Sequence, residues 1–98
     1  MATFITTLHF TEQGTKAVRD TCKRSAAFKT AAEKLGIKVL GQYWTLGVFD
    51  GVIVFEAADE ATATAAMLHL SSQGNLRTQT ARAYDAAEMQ KILGLLPK

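Results

Sequence analysis

The sequence predicts an α+β fold with the element order β-α-β-β-α-β, closed by one further helix. Three observations carry this. Runs rich in β-branched and aromatic residues recur at four places, and two of those runs are adjacent. The segments between the others switch to helical spacing. Asp59 and Asp85 stand where helix N-caps belong, and Gly36 and Gly74 stand where helices stop.

The first strand is expected over Thr3–Phe10. Residues 15–35 then read as a helix, with Val18, Cys22, Phe28, Ala32 and Leu35 sharing an apolar stripe and lysines opposite. Thr21 in "RDTCKR" fits an internal N-cap, so this helix is expected to be kinked or divided in two. Strands over Ile37–Leu46 and Phe49–Ala57 follow. Asp59 caps "EATATAAMLHLSSQ", a helix apolar around much of its circumference and ended by Gly74. Asn75–Tyr84 alternates as a fourth strand. The last segment opens on an Asp85-x-x-Glu88 capping box. It spaces Met89, Ile92, Leu93 and Leu96 along one face, with Pro97 as the stop.

This order is the split βαβ pattern of ferredoxin-like folds. It implies one four-stranded antiparallel sheet of order 4-1-3-2, with both connecting helices on one face. Right-handed crossovers set the first and third strands side by side at the centre, and that central pair is expected to run parallel.

Ninety-eight residues, 48% hydrophobic and 20% charged, suit one folded domain over residues 1–98. No apolar run approaches the roughly 20 residues a membrane helix needs. "MATFITTLHF" lacks the basic and long apolar regions of a signal peptide. A lone cysteine, Cys22, fits a reducing cytoplasm. Residues 16–38 carry seven basic against two acidic side chains, a local +5, while residues 39–76 carry a local −4. A solvated helix face is the ordinary meaning of such a basic segment, which weighs against a nucleic-acid partner.

With Gly47-Val48 as a two-residue type II′ turn, Trp44 pairs with Gly51, Tyr43 with Val52 and Gln42 with Ile53. Gly51 is then expected to leave room for the Trp44 indole. Asp50-Gly51 at the hairpin tip is the competing turn. In the first register one face carries Leu40, Gln42, Trp44 and Ile53, and the other carries Val39, Tyr43, Val52 and Val54. Both faces are substantially apolar, so a homo-oligomer packed through the sheet face is expected.

The segments "QYWTLGVFDGVIVFEAADE" and "SSQGNLRTQTARAYDAAEM" resemble the GYD-domain family, and the likeness runs from "TEQG" at residues 11–14 nearly to residue 98. The resemblance implies a ferredoxin-like, dimeric α/β-barrel type of protein, bacterial in the main, from a family without an established general activity. The matching positions are Trp44, Gly47, Asp50, Asn75, Arg77 and Thr78. Phe49 stands where the family has a tyrosine, and Gly51 replaces a usual apolar strand residue. Both departures favour a structural hairpin over a catalytic signature. The hairpin is also similar to that of the effector-binding half of Lrp/AsnC-type regulators, here without a preceding helix-turn-helix. That likeness implies a fold able to bind metabolites at subunit interfaces.

Candidate chemistry centres on two groupings. His9, Arg77 and Asn75 are expected at one sheet edge with Glu56, as a carboxylate holder or a proton-transfer site. Asp50, Trp44 and Thr45 are expected at the opposite end, towards Arg82 and Tyr84. There Asp50 serves either as a backbone hydrogen-bond acceptor or as a buried general base. The expected ligand-binding residues are Tyr43, Trp44, Asp50, Asn75 and Arg77, and the catalytic candidates are His9 and Asp50. His9, His69 and Cys22 lack metal-ligand spacing, and no cofactor motif is present.

Three readings follow. The first is a homo-oligomeric module that binds a small, mostly apolar molecule. The second is a cofactor-independent enzyme, monooxygenase- or isomerase-like, that uses His9 or Asp50. The third is a structural or partner-binding subunit that presents its basic helix.

Overall fold

A computed structural model describes residues Met1–Lys98. Strands β1 (Ala2–Phe10), β2 (Lys38–Trp44), β3 (Gly51–Ala57) and β4 (Leu76–Ala83) form one sheet in the order β2-β3-β1-β4. Read from the other edge, this is 4-1-3-2. Helices α1 (Glu12–Lys16), α2 (Thr21–Lys34), α3 (Glu60–Ser72) and α4 (Ala86–Leu93) complete the chain, with a 3-10 turn over Val18–Asp20. No helix is long and apolar enough to cross a membrane.

Every strand pair is antiparallel, including the central β1–β3 pair. The expectation of a parallel centre is therefore corrected. A helix returns the chain between β1 and β2, which makes those two strands parallel. The hairpin then reverses direction into β3, the strand that lies beside β1.

The core lies between one sheet face and the two long helices. From the sheet it takes Phe4, Ile53, Phe55 and Ala57; from α2, Phe28 and Ala32; and from α3, Ala63, Ala66, Met67 and Leu70. The α3 set falls at i, i+3, i+4 and i+7, the spacing that puts four residues on one helix face. Phe4 and Phe55 stack with ring centroids 5.5 Å apart. Thr6 is the one fully buried polar side chain, and it is satisfied by bonding to Gln79 O at 3.2 Å and Thr80 Oγ1 at 2.9 Å.

The first helical region divides at Ala17, as "RDTCKR" suggested, with Asp20 rather than Thr21 at the N-cap position of α2. The Ala17 carbonyl accepts from Asp20 N and from the Arg24 guanidinium, so the break leaves no bare oxygen. The break also rotates the inward stripe. Cys22, Val18 and Leu35 are exposed, while Phe28 and Ala32 remain in the core. Gly36 and Gly74 end α2 and α3 in the left-handed region, at φ 75° and 83°.

The hairpin keeps the expected pairs Trp44↔Gly51, Tyr43↔Val52 and Gln42↔Ile53, but not the two-residue turn. Residues 45–50 form a wider loop instead, because Asp50 is drawn towards β1. Further along, a bulge at Leu40 moves Val39 into register with Phe55 and against the core, leaving Leu40 exposed. Gly51 is required by a different neighbour from the one expected. A Cβ there would meet the Tyr43 carbonyl oxygen at 2.9 Å and Leu8 Cδ1 at 3.4 Å, before any contact with the indole.

The second sheet face and the last helix have no covering layer. Ile5 is 39% exposed and Tyr43 60%, beside half-buried Val52 and Val54. α4 forms the expected capping box between Asp85 and Glu88, and an Arg82–Glu88 ion pair at 3.0 Å ties it to β4. Its apolar stripe of Met89, Leu93 and Leu96 stays exposed.

Candidate functional site

At the end of the sheet where β1 finishes, the two layers part around a cavity of about 270 Å³. Leu8, Phe10, Gly51 and Ile53 form its sheet wall. α2 supplies Thr21, Arg24, Ser25 and Phe28, α3 supplies His69 and Leu70, and Gln73 follows as the C-cap of α3. Trp44, Asp50 and Asn75 border it from the loops and strand ends.

The local sequence explains the opening. The inward stripe of α2 runs Thr21, Arg24/Ser25, Phe28, Ala32, so it is polar in its first two turns and apolar afterwards. The apolar half seals the core, and the polar half lies over the cavity.

Asp50 is the joint of the site. Its backbone N–H donates to Leu8 O at 2.8 Å, and its carboxylate Oδ2 accepts from Phe10 N at 2.8 Å. Its own carbonyl accepts from Thr45 N at 2.9 Å. This one residue therefore fastens the hairpin loop to the last turn of the central strand, between two cavity-lining side chains. Of the two roles open to Asp50, the geometry matches the backbone acceptor, although the backbone it serves belongs to β1.

Trp44 lies on the helix side of the sheet, where its Nε1–H donates to Thr21 Oγ1 at 3.0 Å. The indole thus bridges β2 to the first residue of α2. Tyr43 borders the cavity, but its ring lies along β2 over Gly41, where an added Cβ would come within 2.6 Å of the ring. By strand alternation that ring belongs to the uncovered face.

Asn75 sits in a clasp with α1. Gln13 Nε2 donates to Asn75 Oδ1 at 3.0 Å and to Gln73 O at 3.1 Å, and Thr11 N donates to Asn75 O at 3.1 Å. Gly14 is pressed so closely on that carbonyl that a Cβ would overlap it.

The other sequence candidates do not converge on the cavity. His9 pairs with Arg77 across β1 and β4, on the face opposite Leu8 and Phe10. Glu56 pairs with Thr3 at the far end of the sheet, so the His9–Glu56–Arg77 grouping does not form. Asp50 lies at the His9 end, whereas Arg82 pairs with Phe4 towards the other end. Both corrections follow from the antiparallel centre, which starts β3 beside Leu8 and ends it beside Ala2. No three His, Cys, Asp or Glu side chains gather at a metal-binding spacing.

Two cavity residues escape a reading of the sequence. Arg24 reads there as one basic residue of a solvated face, and His69 only as a poorly spaced metal ligand. The signal that marks Arg24 is its place three residues after Thr21 and four before Phe28.

A two-layer split-βαβ domain with a lined cavity at one sheet end is the class that fold and site define. The chain belongs to the GYD domain family, matched over residues 4–93. Among characterised proteins it is similar to the "Glutamine synthetase and cystathionine beta-lyase binding protein" of Thermus thermophilus. The two are 37% identical over 90 residues, covering 91% of this chain and 95% of that protein. Among solved structures, the C-terminal domain of the MgtC protein from Mycobacterium tuberculosis aligns with a TM-score of 0.49 at 10% identity. That alignment covers 87% of this chain and 89% of that one.

Proposed function

We propose that this protein is a homo-oligomeric module that binds a small molecule in the cavity between sheet and helices. The cavity of about 270 Å³ carries the reading: it is lined by ten hydrophobic residues and a few placed polar groups, as small-ligand sites are. Trp44, Asp50 and Asn75 border it and are the ligand-side residues of this proposal, whereas the expected Tyr43 turns its ring to the other face. Arg77 and His9, on the other face, belong with the surface that meets a second subunit.

The oligomer follows from the uncovered face. Ile5 and Tyr43 are exposed on the sheet beside half-buried Val52, Met89 and Leu93 are exposed on α4, and uncovered apolar side chains of this kind mark interaction surfaces. Two sheets packed face to face, the ferredoxin-like dimeric α/β barrel, would cover it. An exposed free thiol at Cys22 suits a reducing compartment, so the same reading puts the protein in the cytoplasm. Native mass spectrometry of protein from the producing cell tests both parts together. A multimer carrying a small-molecule adduct is expected, and a bare monomer overturns the reading.

The Thermus relative's name favours a second reading, in which the domain docks on metabolic enzymes. The exposed lysines of α2, Lys23, Lys29 and Lys34, would meet an acidic surface on the partner. Purified glutamine synthetase mixed with this protein is expected to form a complex. Charge reversal of those three lysines should slow its association, most of all at low salt.

A further inference from the structure

Resting on the small-molecule reading of the cavity, we propose that its ligand is a small carboxylic acid with a compact apolar body, and that Arg24 holds the carboxylate. Arg24 lines the cavity from the second turn of α2. Its Nη1 is committed to the Ala17 carbonyl at 2.8 Å, which fixes the plane and direction of the guanidinium. It is the only lysine or arginine on the cavity lining. Arg24 takes part in neither of the two ion pairs, Lys16–Glu12 and Arg82–Glu88.

A permanent charge beside a mostly apolar cavity, with no counter-charge of its own, is expensive, and such groups are ordinarily paired. The cheapest partner is an anionic oxygen, because charge-assisted bonds from a guanidinium are about twice as strong as neutral ones. An orientation fixed in advance lowers the ordering cost of making that bond.

The rest of the wall defines the body of the ligand. Phe28, Ile53, Leu70 and Leu8 offer nothing to a polar chain and favour a flat or branched apolar group. A cavity of about 270 Å³ suits a compact ligand such as a phenyl ring with a short acid arm. Asp50 is the one acidic side chain on the lining, with Oδ2 already bound to Phe10 N–H. Its charge opposes a second anionic group, so a monocarboxylate fits and a dicarboxylate does not.

The test is a titration followed by Trp44 emission, the only tryptophan signal in the protein, with calorimetry as the second readout. Phenylacetate is the charged probe, phenylacetamide its neutral counterpart, and phenylmalonate the dianion. Phenylacetate should bind at least tenfold more tightly than either of the others. Arg24→Gln should weaken phenylacetate at least tenfold while leaving phenylacetamide within about twofold, and Arg24→Lys should fall between, because it keeps charge without the planar fork. Equal binding of acid and amide by the unmodified protein overturns the proposal without any variant, as does undiminished phenylacetate binding in a folded Arg24→Gln. In both cases the small-molecule reading survives. Failure of all three probes to bind overturns the proposal alone, and the small-molecule reading falls only if native mass spectrometry also finds no adduct.

Discussion

The Asp50 carboxylate accepts the Phe10 backbone N–H at 2.8 Å, while the Asp50 N–H donates to the Leu8 carbonyl at 2.8 Å. A hairpin residue thus completes the hydrogen bonding of a strand forty positions earlier in the chain. Asp50→Ala should cost about 1–3 kcal/mol in urea denaturation, the range for stranding a part-buried donor. Asp50→Asn keeps an acceptor oxygen and should lose less. If the two variants are equally stable, the bond to Phe10 is not what Asp50 contributes.

Gly14 and Asn75 set the spacing between α1 and the start of β4. Gly14→Ala drives a methyl group into a backbone carbonyl that is itself fixed by Thr11 N–H, so neither side yields easily. A loss of about 1–3 kcal/mol is expected, as for other overpacked sites. Gly36→Ala, where a Cβ meets nothing within 4 Å, separates this effect from backbone strain, because its cost comes from φ alone. Thermal melts of the two variants side by side make the comparison.

The bond from Trp44 Nε1 to Thr21 Oγ1 predicts a spectroscopic change rather than a large change in stability. Thr21→Val removes the acceptor and should shift Trp44 emission to longer wavelength as the indole N–H turns to water. Stability should move by only about 0.5–1.5 kcal/mol. An unchanged spectrum would show that the bridge between β2 and α2 is not made in solution.

Asp59 supplies a pH dependence of definite sign. Its carboxylate accepts the Thr62 backbone N–H at 2.7 Å, and that bond first, with the nearby Thr62 side chain second, holds its pKa below the ordinary aspartate value. The unfolded chain therefore takes up this proton at a higher pH than the folded one. The contribution of Asp59 is present above the unfolded pKa, about 3.9, and is lost as pH falls through the lower folded value. Asp59→Asn keeps an acceptor without the titrating charge, so its melting temperature should fall less steeply than that of the unmodified protein below about pH 4. Parallel slopes would assign the acid sensitivity to other groups, and Glu88 is next in line. Its pKa is lowered by the Asp85 backbone N–H first and by Arg82 second.

Legibility of the fold in the sequence follows the range of the interaction involved. Helix ends are readable because their causes are local: Asp59, Asp85, Gly36 and Gly74 each act within a few residues. The register of the hairpin is readable near Trp44 and Gly51 but fails past Gly41. A bulge shifts Val39 to the other face, and nothing in "VLG" announces it. The wide loop at residues 45–50 is hidden for a related reason, because Asp50 answers to Leu8 and Phe10 rather than to its neighbours. The cavity is half visible. Trp44, Asp50 and Asn75 stand at motif positions, whereas Arg24 depends on how α2 is rotated after the break at Ala17.

The order in which the sheet pairs bears on how the chain is made. β1 emerges from the ribosome before the other three strands, yet one of its two neighbours in the sheet is β4, residues 76–83, the last of the four to be made. The hydrogen bond from Thr6 Oγ1 to Gln79 O spans 73 positions, so it forms only after all four strands have been made. Until then the strand destined for the centre of the sheet is an open edge, bearing Phe4, Ile5 and Leu8 to whatever chain lies nearby. Pairing at this distance is also slow to close. The nascent protein is therefore most prone to aggregate during the interval between the appearance of β3 and that of β4.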